Sequence, residues 1–101
     1  MRKIKKNVLD EIKVFKECLQ EHQRLPFEEQ RLYRFENDYG ASVVCHDFSY
    51  GGTDNLCELA VIRWSGEKEW TLTYSTHITD NVIGHLKAED VEKLLLQIKE
   101  L

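Results

Sequence analysis

Trp70-Thr71-Leu72-Thr73-Tyr74-Ser75 is the stretch on which the fold turns. Large apolar side chains at 70, 72 and 74 alternate with small polar ones at 71, 73 and 75, and a period of two puts the first set on one face of a strand. The same chemistry recurs on the way back towards the N-terminus. Leu56 to Trp64 and Ala41 to Phe48 are rich in β-branched and aromatic residues, and Tyr33 and Phe35 alternate with Arg34 and Glu36. The links carry turn chemistry: Asn37-Asp38-Tyr39-Gly40, the loop Ser49-Tyr50-Gly51-Gly52-Thr53-Asp54-Asn55, and the hairpin turn Ser65-Gly66-Glu67-Lys68. Four consecutive strands joined in this way predict an antiparallel meander, with Trp64 and Trp70, on either side of the last turn, forming a cross-strand pair or capping the core.

On either side of this block the period changes. Val91, Leu94, Leu95, Ile98 and Leu101 fall on one stripe of a helix, with Glu89 and Asp90 in its first turn and Lys99 in its last, as the helix dipole favours. This helix is expected to pack on the sheet. Ile4, Val8, Ile12, Phe15 and Leu19 predict a second amphipathic helix from about Lys3 to Gln23, ended by Leu25-Pro26, with Phe27 to Gln30 as a connector. The expected fold is thus α+β within one domain: an N-terminal helix over 1–25 as an addition to a core over 32–101.

A chain of 101 residues buries about two-thirds of its unfolded surface, enough for one core. The apolar share of 42% can fill it, and 32% charged residues argue against a membrane home. The basic start, Met1 to Lys6, is followed by no apolar h-region, so a secretion signal is not expected. Cys18, Cys45 and Cys57 are too few for a disulfide framework, and the simplest reading is reduced core thiols in a cytoplasm.

The net charge of −4 is unevenly spread. Residues 1–25 hold seven Lys/Arg against four Asp/Glu, whereas Glu36 to Asp80 holds eight carboxylates against Arg63 and Lys68 alone. A surface that binds nucleic acid directly has the opposite sign.

Catalytic motifs are sparse. Cys45-His46-Asp47 places a thiol beside an imidazole, but neighbours on a strand point to opposite faces and cannot share a proton. Cys45, His46, Cys57, His77 and His85 are zinc-ligand types whose spacings match no zinc motif; residues of these types in such a pattern are more often packed thiols and surface imidazoles. Gly51-Gly52 leads to Thr53-Asp54 and a strand rather than to Gly-Lys-Ser/Thr and a helix, so it reads as a turn and not as a phosphate cradle. No cofactor is expected. Tyr39 and Tyr50 stand beside glycines in loops, where an exposed ring can anchor a partner.

Arg34-Phe35-Glu36-Asn37, Tyr39-Gly40-Ala41-Ser42-Val43-Val44, Ser49-Tyr50-Gly51-Gly52, Glu58-Leu59-Ala60-Val61 and Ile78-Thr79-Asp80-Asn81-Val82-Ile83-Gly84 resemble, in order and spacing, a family of small bacteriophage and prophage proteins, most without assigned function. With the C-terminal helix the resemblance covers about 70 residues. Asp38 stands where that family has glycine, His77 where it has proline, His85 where it has tyrosine, and Lys87 where it has a Ser/Thr helix cap. The resemblance implies a phage origin and a host-cytoplasmic setting, and carries no catalytic residues across.

Together these readings lead to the expectation of a non-enzymatic binding protein, in its sharpest form an anti-CRISPR-like inhibitor of a basic nucleic-acid-binding effector. Its expected surface comprises Asp38, Tyr39, Asp47, Tyr50, Gly51, Gly52, Asp54 and Asp80. A virion-accessory protein that self-associates through the N-terminal helix, and a small zinc-stabilised domain, are the alternatives.

Overall fold

The computed structural model describes residues 12–24, 28–46, 57–73, 76, 78 and 83–101. Strands β1 (Leu19–Arg24), β2 (Glu28–Arg34), β3 (Tyr39–His46), β4 (Cys57–Trp64), β5 (Trp70–Leu72) and β6 (Ile83–Leu86) form one sheet, and α1 (Ala88–Lys99) follows them. Every pairing is antiparallel, in the order β1-β2-β3-β4-β5, with β6 also on β4. The α+β class and the meander are as the sequence predicts. The strand count is not: six are present among the described residues rather than four.

The two extra strands lie where the pattern is weakest. β1 and the first part of β2 are almost wholly polar (Gln20, Glu21, His22, Gln23, then Glu28, Glu29, Gln30), and the latter was expected as a connector. A charged strand suits the end of the sheet order, since an exposed carboxylate such as that of Glu21 discourages another chain from pairing there. β6 is only Ile-Gly-His-Leu. It shares one edge of β4 with β5, Ile62 to Trp64 pairing with β5 while Cys57 and Leu59 pair with β6.

The expected N-terminal helix is overturned from residue 12 onward. Ile12 is buried in the main core, Phe15 takes a left-handed φ of 57°, a single 3-10 turn spans Lys16–Cys18, and β1 begins at Leu19. A bulky residue at positive φ ends helical continuation. The tertiary gain that replaces the helix is visible: β1 pairs along β2, Phe15 stacks edge-on against Phe35, and Arg31 donates to the Ile12 carbonyl at 3.0 Å. Residues 12–24 therefore belong to the same sheet and core as the rest rather than forming an addition. Residues 1–11 lie outside those described.

Odd-numbered positions of β2, β3 and β4 face α1. Tyr33, Phe35, Ala41, Val43, Cys45, Cys57, Leu59 and Val61 pack with Ile12, Leu86 and the helix residues Val91, Leu95 and Ile98. Even positions build a second cluster on the other face, in which Leu32, Ile62 and Trp64 pack with Trp70, the residue paired with Trp64. β4 is buried on both faces from Leu59 to Ile62, as an interior strand flanked by β3 on one side and by β5 and β6 on the other.

The cysteines correct a further expectation. Cys45 and Cys57, directly paired across β3 and β4, are joined by a disulfide, and Cys18 is the free thiol. Among the described residues no helix is long and apolar enough to cross a membrane.

Candidate functional site

The sheet has two ends of different build. At one, β2 turns into β3 through Phe35 to Tyr39. The Asp38 amide donates to the Phe35 carbonyl at 3.0 Å and Asp38 itself takes φ 66°, so a hydrogen-bonded four-residue turn is closed by a left-handed residue. Glycine is the usual occupant of that position, and Asp is among the few side chains that tolerate it. Asp38 is further held by Arg34 at 3.1 Å. Arg34 in turn donates to the Gly66 carbonyl at 2.9 Å and lies 5.5 Å from the Trp64 ring centroid, so one guanidinium ties both hairpin turns together.

Two neighbours of Asp38 explain the surrounding motif. The Asn37 amide donates to the carbonyls of Ile98, Lys99 and Leu101 at 3.0, 3.2 and 3.1 Å, while its oxygen accepts the Tyr39 amide at 3.0 Å. It is thus a turn residue that also caps the C-terminus of α1, whose last carbonyls have no partner within the helix. Gly40 lies beneath the indole of Trp64, which reaches across to the Tyr33 carbonyl at 2.9 Å. A Cβ at Gly40 would run into that carbonyl and come within 2.7 Å of the Trp64 nitrogen. Tyr39 is half-buried against the main core with the Arg63 guanidinium 5.7 Å from its ring centroid.

At the other end, β3 and β4 part after the Cys45–Cys57 pair, the last in their register, and residues 47–56 connect them. Cys57 also pairs with Leu86, two residues before α1 begins. On the opposite side Cys45 pairs with Glu29, whose carboxylate sits on the helix-facing side of the sheet at 2% exposure. His22 of β1 reaches it, Nε2 to Oε2 at 3.7 Å, with 32% of the imidazole side chain exposed. This end therefore collects a disulfide, a buried carboxylate and a half-exposed imidazole. Sequence reading missed Glu29 and His22, since a strand pairing between two polar segments has no periodic signal.

Of the expected surface, Asp38 and Tyr39 are described, and both are engaged in the turn; Asp47, Tyr50, Gly51, Gly52, Asp54 and Asp80 lie outside the described residues. The zinc reading fails on two of its ligands, because disulfide-bonded Cys45 and Cys57 have no thiolate to offer. His77 lies outside the described residues; His46 and His85 are placed in β3 and β6 by backbone alone. Among the described residues no His/Cys/Asp/Glu group could hold a metal ion. The start of α1 keeps one half of a capping box: the Asp90 carboxylate accepts the Lys87 backbone amide at 3.1 Å. The lysine ammonium cannot return that bond.

No protein-family model, curated protein or solved structure matches this chain.

Proposed function

We propose that the protein is a non-enzymatic binding module that presents residues 47–56 to a basic protein partner, in the sharpest form a nucleic-acid-binding effector that an infecting phage would need to inhibit. The observation that carries this reading is the cross-link at the base of the segment. β3 and β4 are paired without a slip from Tyr39↔Arg63 to Cys45↔Cys57 and then covalently joined, so ten residues leave and re-enter the sheet at a fixed separation. Holding the ends of a recognition segment lowers the ordering cost of binding. The segment has two carboxylates, Asp47 and Asp54, no Lys or Arg, one Tyr and a Gly-Gly pair. That composition suits a basic surface, with Tyr50 as the apolar anchor. Residues 12–24, the part of the expected helical seam of the self-associating alternative that is described, form a 3-10 turn and β1.

The test is capture from bacterial lysate and with purified CRISPR effectors, followed by association and dissociation rates at two salt concentrations. Asp47→Lys with Asp54→Lys should slow association, and wild-type affinity should fall with salt as charges beyond about 8–10 Å are screened. Tyr50→Ala should speed dissociation instead. Binding that ignores salt and survives both charge reversals removes the acidic-segment reading.

A further inference from the structure

We draw no further inference here: the strongest candidate, the open cavity between β1 and the turn from β4 to β5, lined by Gln20, Glu21, Trp64, Glu67 and Lys68, carries nothing because its two carboxylates share the wall with Lys68 and nothing in the structure shows what fills it.

Discussion

Where β2 turns into β3, side chains fasten the sheet to its surroundings: Asn37 to the end of α1, Arg34 to the neighbouring turn, Trp64 across Gly40 to the Tyr33 carbonyl. Where β3 leaves for residues 47–56, one covalent bond does the fastening, with buried Glu29 in register with Cys45. The hydrogen-bonded end acts on the folded state, through partners that each need correct geometry. The cross-linked end acts largely on the unfolded chain, by shrinking its freedom. Two ends of one strand, β3, thus reach stability through different states, and substitutions can separate them.

The largest effect should come from Gly40→Ala. The new Cβ meets a backbone carbonyl, which cannot swing aside, and displaces the indole that hydrogen-bonds it. Overpacking together with a lost buried hydrogen bond amounts to about 3–5 kcal/mol, much of a small domain's stability. Gly66→Ala is the matched control, because a Cβ there finds nothing closer than 3.7 Å. Urea denaturation should show the first midpoint collapsing and the second nearly unmoved. Equal losses would mean that the Gly40 approach is not what matters.

At the other end, Cys45→Ala with Cys57→Ala should cost about 2–4 kcal/mol, in line with releasing a loop of twelve residues' separation. The diagnostic is the slope. Removing a cross-link expands the unfolded state, so the denaturant m-value should rise, whereas Gly40→Ala should leave it unchanged. A double variant that loses stability at constant m would place the effect in the folded core instead.

The difference between the ends also explains what the sequence could tell. α1 was legible because Val91, Leu95 and Ile98 repeat with the helical period and are all fully buried. β4 and β5 were legible because apolar, β-branched and aromatic residues crowd them. β1 was not, since Leu19 to Arg24 carries one apolar residue, and the stripe of Ile12, Phe15 and Leu19 that suggested a helix packs on the core from an irregular backbone. Asp38 at positive φ was foreshadowed by the glycine usual there, and Asn37 by its turn chemistry, although its reach to the helix end has no local sign. The disulfide and Glu29 were invisible for one reason: each depends on register between segments, and register appears only when the strands are laid side by side. The residues expected to meet a partner fall mostly in 47–56, outside the described residues, so their reading still rests on composition.

The smallest of the expected effects is the most discriminating for the hydrogen-bonded end. Asn37→Ala removes the amide that serves the Ile98, Lys99 and Leu101 carbonyls and the oxygen that holds the Tyr39 amide, at a cost of about 1–2 kcal/mol for part-exposed bonds. Asn37→Asp separates the two roles. Its carboxylate can still accept from Tyr39, yet it has no donor for the helix carbonyls and sets a negative charge at the negative end of the α1 dipole. If the turn bond dominates, Asp should behave like Asn; if the helix cap dominates, Asp should be as harmful as Ala or worse at neutral pH. We expect the second. Repulsion from the carbonyls raises the folded-state pKa of the introduced acid above its unfolded value. Stability relative to wild type should therefore be lowest at neutral pH and recover as pH falls through the carboxylate range near about 4, where the protonated acid can donate. Thermal unfolding of wild type, Asn37→Ala and Asn37→Asp at neutral and acid pH measures this directly, and an Asp variant as stable as wild type at neutral pH would show that Asn37 matters for the turn and not for the helix.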